Sequence, residues 1–421
     1  MARILILCPT HDHVDTLYFA IASAQAQTLD DWEMTVICDG APDRTLQILE
    51  AISAADRRIT FEAHPKSYKT GEIHRDRVVR ASNAEFVCHL GDDDVWAPDH
   101  LEQMTALMAK GDWVNQSAMS ILNDGSVEWA PRNMGGDVAR LSMGKGKFAV
   151  AVGFSHTAYR MDSYLTLPEG WTQTPKDFGA SDQFMAAKFL TRPFMRVAST
   201  AACSSLKFTS RSGESLKLPP EGFAARIAPW LARIAKPGFM RTAARSADMT
   251  APLLELLSRF APDAGKSFEA AYRFCGLSIA DEADACDVAV DGAPMALPLT
   301  PAQRVQAEDA YLSFLRWHHG SFSIDHWIAR IGTEEKDWVR GLKGLSRTRP
   351  QISIDALTEL ESRFGAKPLT TSTRLHLRVQ MAELDAALDD IARARQTWPA
   401  AKWLDAIEAK VARALEERAA G

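Results

Sequence analysis

The chain has no apolar run of membrane-spanning length, which takes about 20 consecutive apolar residues. The N-terminal run Ile4-Leu5-Ile6-Leu7-Cys8 is too short for a signal peptide's apolar core, and Pro9 ends it. A cytoplasmic chain is therefore expected. An excess of positive charge is also missing. The 48 Lys and Arg residues face 54 Asp and Glu, for a formal net charge of −6. That balance argues against bulk nucleic-acid binding, which needs a basic footprint. Cysteine is sparse as well. Cys8, Cys38, Cys88, Cys203, Cys275 and Cys286 show no C-x-x-C spacing. Zinc and dithiol chemistry thus find no support, and reduced core thiols are expected. What remains is ordinary globular composition, 46% hydrophobic over 421 residues, enough for two or three domains with their own cores.

Against this background one cluster stands out. Asp92-Asp93-Asp94 follows the apolar run Glu85-Phe86-Val87-Cys88-His89-Leu90, which reads as a buried strand. Negative charge is thereby gathered at the carboxyl end of a strand, where open α/β sheets bind ligands. Like charges this close repel unless something positive sits on them. A divalent cation with oxygen ligands, Mn²⁺ or Mg²⁺, is the natural candidate and usually brings a phosphate with it.

The first ~110 residues alternate strand and helix signals. Strands are expected at Ile4–Cys8, Met34–Cys38, Ile59–Ala63 and Glu85–Leu90, and helices near 14–24, 44–55 and 72–82. Asp12 or Asp15 is the candidate cap of the first helix, and Pro98 opens a fourth. This order predicts a largely parallel sheet with right-handed crossovers. From Gly111 to about Phe208 the pattern is mixed. Past Pro219-Pro220 it becomes helical, with an acidic, proline-containing loop expected at 281–300. The expected division is 1–215 as an α/β domain, 216–300 as a helical or linker region, and 301–421 as an α-helical domain. Within the last, Leu384–Leu388 through Ala394–Pro399 resembles one tetratricopeptide-type hairpin. The stretch 226–245 interleaves Arg226, Arg233, Lys236, Arg241 and Arg245 with Ile227, Trp230, Leu231 and Ile234. It reads as a solvated helix face or as a contact with an anionic membrane surface.

Five segments carry a family resemblance. They are Cys8-Pro9-Thr10-His11-Asp12, then Ser23–Thr28 with Asp31-Trp32-Glu33, then Ile37-Cys38-Asp39-Gly40, Arg75-Asp76-Arg77, and Leu90-Gly91-Asp92-Asp93-Asp94-Val95-Trp96-Ala97-Pro98. Together, in order, they resemble family 2 glycosyltransferases of the GT-A fold over roughly residues 1–210. The resemblance implies a Rossmann-like α/β domain followed by the α-helical region. It implies an inverting transferase that moves a sugar from a nucleotide-sugar donor to a saccharide or lipid-linked saccharide. The implied setting is bacterial cell-surface polysaccharide assembly, at the cytoplasmic side and in reach of the membrane's inner face.

Roles follow by resemblance. Asp39 would contact the nucleotide base, with Thr10, Asp12 and Arg75 lining that pocket. Asp93 and Asp94 would hold the metal, assisted by Asp92. Aligned strictly, the first Asp of the family's D-x-D falls on Gly91. Ser181-Asp182-Gln183 resembles the family's late S-D motif, which makes Asp182 the general base. His156 and Trp171 would face the acceptor. In a bacterial subgroup an L-H-F-P-S stretch follows the base, and its His can ligate metal. Here the stretch is Leu206-Lys207-Phe208-Thr209-Ser210. A protonated lysine offers donors only, so Lys207 would meet diphosphate charge itself and weaken metal dependence.

Three rivals remain. A nucleotidyltransferase would want a Gly-rich basic loop after the first strand, where Pro9-Thr10-His11-Asp12 stands. A haloacid-dehalogenase-type phosphatase would want its aspartates there, not after the fourth strand. A decayed transferase domain would bind glycan or nucleotide without turnover, while the helical tail recruits a protein partner or a second copy.

Overall fold

The computed structural model describes residues 2–144, 153–176, 178, 180–208, 220–260, 267–281, 288–318, 328, 334–348 and 350–420. Thr209, Ser210, Pro219 and Cys286 lie outside the described residues. The chain forms two compact units, Met1–Met249 with Lys266–Gln306, and Thr250–Gly265 with Ala307–Gly421.

In chain order the strands are β1 (Ile4–Thr10), β2 (Trp32–Asp39), β3 (Ile59–His64), β4 (Phe86–His89), β5 (Asp94–Trp96), β6 (Trp113–Gln116) and β7 (Ala118–Ile121). They continue with β8 (Val127–Ala130), β9 (Thr157–Arg160), β10 (Val197–Thr200), β11 (Ser205–Phe208), β12 (Leu277–Asp281), β13 (Val288–Val290) and β14 (Met295–Leu299). Seven helices of the first unit position the site: α1 (Val14–Gln25), α2 (Asp43–Ala55), α3 (Glu72–Ala81), α4 (His100–Met108), α5 (Asp137–Gly144), α6 (Met161–Leu165) and α7 (Ser181–Leu190).

The main sheet runs β13-β10-β6-β9-β4-β1-β2-β3. β1 pairs in parallel with both β2 and β4, and β2 with β3, as the alternating pattern predicts. Ile4, Ile6, Cys8, Met34, Val36, Cys38, Phe86 and Cys88 carry the core against Leu17, Ile21 and Leu101 of the helices. Strands covered on both faces read as continuous apolar runs for this reason. The five described cysteines are buried.

Three expectations are corrected. His13, not Asp12 or Asp15, occupies the N-cap of α1, and no side chain caps it. Asp15 sits in the first turn, where a carboxylate favours the helix dipole, and accepts from Arg44 at 3.1 Å. The stretch 281–300 is not simply a loop. β13 closes the sheet edge antiparallel to β10, and β14 pairs in parallel with β12. Residues 267–306 therefore fold into the first unit rather than forming a linker region. A three-residue strand is too short to show a period-two pattern, so the sequence hid it. Finally, Ile227, Trp230 and Ile234 on the helix Pro220–Ile234 are buried. That apolar face is spent on the protein core and is not presented to a bilayer. No helix among the described residues is long and apolar enough to cross a membrane.

A second sheet, β5-β11-β7-β8, shapes the site. Asp94 opens β5, so only Asp92 and Asp93 lie in the turn after β4. β5 pairs antiparallel with β11, and the register sets Asp94 opposite Lys207.

The second unit is helical. Glu335–Thr348, Pro350–Phe364, Pro368–Gln380, Leu384–Thr397 and Lys402–Ala420 each pack on their successor, and Pro368–Gln380 also meets Lys402–Ala420. Leu375, Ala387, Ile391, Leu404, Ile407 and Val411 form its buried seam. Beside that seam the fully buried Asp390 accepts from Arg374, Arg378 and Arg393.

Candidate active site

Parallel strands end on one edge, and β1, β2 and β4 bring their carboxyl ends to a cavity of about 380 Å³. Its wall takes Pro9, Thr10, His11 and His13 from β1 and the turn after it, and Asp39 from β2. Lys66, Lys69, Thr70 and Arg75 come from the stretch between β3 and α3, Gly91 and Asp92 from beyond β4. Phe154, Ser181 and Asp182 close it. A larger cavity of about 640 Å³ lies beside Pro98, Trp129 and Phe239. Its wall carries Lys236, Arg241 and Arg245 but, among the described residues, a single carboxylate, Asp99, so the convergence of several carboxylates with cations marks the smaller one.

The nucleotide-side residues divide. Thr10 is buried, and its hydroxyl has no hydrogen-bond partner within the protein. Asp39 is also buried and accepts from the Lys66 ammonium at 2.6 Å and the Ser67 N–H at 2.7 Å. Burial would raise its pKa, but those donors outweigh it and hold the carboxyl below its ordinary value. Gly71, at φ +72°, passes so close that a Cβ would lie 3.1 Å from that of Asp39. Glycine there meets both the left-handed backbone and the tight approach. Arg75 is buried, and burial lowers its pKa. Its guanidinium donates to the Thr70 carbonyl at 2.6 Å and lies over the rings of Trp171 (4.7 Å) and Phe154 (5.4 Å). Asp12 departs from expectation. It is exposed and off the cavity wall, whereas the next residue, His13, half exposed, lines it. The His13 imidazole lies 3.3 Å from Asp92. That hydrogen bond raises its pKa to about 9.

Around the aspartates the charge is partly offset from within, and Asp94 Oδ1 is left without a hydrogen-bond partner. Ser155 receives a hydrogen bond from the Gly91 N–H at 2.8 Å and donates to Asp94 Oδ2 at 2.6 Å. Lys207 Nζ stands 3.9 Å from the same oxygen. Asp94 raises the pKa of Lys207 against the opposing effect of burial, helped by Asp93, Asp182 and Asp92. Asp93 is pushed up to about 7, first by burial and then by Asp94. Arg226, half-buried on the helix Pro220–Ile234, is near enough to act on Asp93. Gly91 leaves little room for a side chain. A Cβ there would lie 3.2 Å from Asp94 Oδ2 and 3.3 Å from both Asp93 Oδ1 and Ser155 Oγ. Among the described residues no three His, Cys, Asp or Glu side chains are arranged to hold a metal ion. Asp94 instead faces the Lys207 ammonium, and Asp92 faces the His13 imidazole.

Asp182 lies in the first turn of α7, whose N-cap position is held by Ala180 with no side-chain cap. Its carboxylate accepts from the Gln183 N–H at 2.8 Å and lines the cavity. Burial raises its pKa over the opposing pull of that bond, Lys207 and Arg75. The two expected acceptor residues are corrected. Trp171 is 3% exposed, donates to the Tyr159 hydroxyl at 3.1 Å and forms the floor under Arg75. His156 is fully buried, with its pKa lowered to about 4 by burial. Neither presents a surface to an acceptor.

Sequence reading missed Lys66, Lys69 and Ser155 as site residues, and it read Arg226 as a surface or membrane-facing charge. Lys66-Ser67-Tyr68-Lys69 carries no motif that marks it as part of a site. Ser155 is 61 residues from Asp94, and no local pattern reports such a contact.

A family model described as Glycosyl transferase family 2 matches residues 5–166. The succinoglycan biosynthesis protein ExoW of Rhizobium meliloti (strain 1021) is 31% identical over 121 residues, which cover 27% of this chain and 38% of that protein. The chain spans less than half the length of the curated relatives it matches. Among solved structures, S. aureus TarS 1-349 aligns over 90% of this chain and 91% of that one, with 14% identity and a TM-score of 0.38. With the motif order and the parallel sheet both in place, residues 5–166 are a glycosyl transferase family 2 domain.

Proposed function

We propose that the chain is an inverting glycosyltransferase. It moves a sugar from a nucleotide-sugar donor to a saccharide or lipid-linked saccharide acceptor. The observation that carries this reading is the placement of Asp182 in the same cavity as Thr10, Asp39, Arg75 and Asp92. A base thereby faces a cradle of polar and cationic groups at the strand ends. The name of ExoW supports a polysaccharide setting.

Chemistry follows from charge. The nucleoside seats against Thr10 and Asp39. Lys66 donates to one Asp39 oxygen and the Ser67 N–H to the other, and a carboxylate has about four lone-pair sites, so capacity remains for a base N–H. Asp182 takes the proton of an acceptor hydroxyl. The oxygen attacks the anomeric carbon from the face opposite the diphosphate, and the carbon–oxygen bond to phosphate breaks. The electron pair leaves on the diphosphate, whose growing charge is met by the cationic groups of the cavity. A carboxyl with a raised pKa is a better base than an ordinary one.

The test is Asp182→Asn. Transfer to a saccharide acceptor should fall by about 10²–10⁴, the usual worth of general-base help, while calorimetric donor affinity stays within about threefold. Full transfer by this variant would assign the base elsewhere.

A further inference from the structure

We infer that Lys207 is this enzyme's resident counter-charge for the departing diphosphate, occupying the place where a divalent cation would otherwise sit. The inference rests on the transferase reading above. It starts from register. β11 and β5 are antiparallel, and Lys207 stands directly across from Asp94, so both side chains leave the same sheet face. Asp94 is 1% exposed. Ser155 fixes the orientation of its Oδ2, and the ammonium stands 3.9 Å from that oxygen. At that distance the pair is attractive without a hydrogen bond, and Lys207 remains about one-third exposed. Its N–H groups can therefore turn to phosphate oxygens. Asp92 and Asp93 from the turn after β4 and Asp182 from α7 bear on the same ammonium.

Gly91 is the second observation. Its N–H holds Ser155, and a Cβ would press on Asp93, Asp94 and Ser155 together. A side chain there would disturb the arrangement that orients Asp94 toward Lys207. A metal ion bound by Asp93 and Asp94 at ~2.1 Å would be forced against the ammonium. Lys207 moves no proton in this step. The acceptor proton goes to Asp182, the new bond is acceptor oxygen to anomeric carbon, and the diphosphate leaves with the electron pair beside Lys207.

The test is titration calorimetry of UDP, GDP and dTDP, each with EDTA and with Mn²⁺. The wild-type chain should bind one nucleotide with affinity unchanged within about twofold between EDTA and Mn²⁺. Lys207→Met should lose about ten- to hundredfold in EDTA, the worth of a charged hydrogen bond. Lys207→Arg should keep most of it. The pair Gly91→Asp with Lys207→His should bind only when Mn²⁺ is present. Wild-type binding that requires Mn²⁺ would overturn the inference and leave the transferase reading standing. Binding of no nucleotide under either condition would sink both. If Lys207→Met fails to fold, the wild-type comparison and Lys207→Arg still decide.

Discussion

Asp390 and Asp93 are both carboxylates drawn out of water, and the two units of the chain treat them in opposite ways. In the helical unit, Asp390 is fully buried and touched by Arg374, Arg378 and Arg393. Burial would raise its pKa, yet those arginines hold it below the ordinary value. Arg374 is itself tied to Glu361 at 2.7 Å, so the network is locally balanced. In the α/β unit, Asp93 shares its turn with Asp92 and Asp94, and burial with their repulsion lifts it to about 7. One region spends its cations on satisfying a carboxylate. The other keeps carboxylates under strain around Lys207 and Arg226. Structural networks minimise such cost, while sites that await an anion or a proton retain it.

Substitutions should break this contrast unevenly. The largest expected effect after Asp182→Asn is at Asp390. Asp390→Asn would leave three arginines around a neutral amide, at a cost of about 3–5 kcal/mol. Hydrogen exchange over residues 368–420 should lose protection, and unchanged protection would show that the network carries little. At Asp93 the same change should have the opposite sign. Its folded pKa, about 7, lies above the ordinary 3.8. Ionisation is thus disfavoured in the fold, and stability declines as pH rises from about 4 to 7. Asp93→Asn removes that loss, and urea unfolding at neutral pH should show a gain on the order of 1 kcal/mol. A clear destabilisation would mean the charge is fully compensated. The smallest effect is at His13. Its folded pKa of about 9 exceeds the ordinary 6.5. The attraction to Asp92 is therefore complete below about pH 6.5 and disappears as pH rises through 9. The affinity of a nucleoside diphosphate should drop about two- to fivefold across that upper step. In His13→Asn the step should vanish, and a persistent step would assign it to another group.

Asp39, Arg75 and Asp92 fall on strand ends or a helix start that periodicity locates, whereas Asp182 was reached by family resemblance alone; the fold brings all four to one cavity. The readings that failed share a cause. Trp171 and His156 carry the chemistry of an acceptor wall, but exposure is a property of what packs over a residue. The aromatic cluster of Tyr159, Phe154 and His89 covers Trp171, and nothing at positions near 171 encodes it. Arg226 reads as a membrane-facing or solvated charge until the helix Pro220–Ile234 is seen to pack by Ile227 and Trp230.

Sequence by itself determined the parallel β1–β4 core, the aspartate cluster at its edge, the reduced buried cysteines and the family of residues 5–166. These depend on local apolar runs and on the rule that parallel strands end on one side. Only the tertiary structure decided what faces the aspartates. The β5–β11 register puts Lys207 across from Asp94, and Ser155 reaches the same oxygen from 61 residues away. Electrostatic balance is set by distance through space, and separation along a chain does not report it.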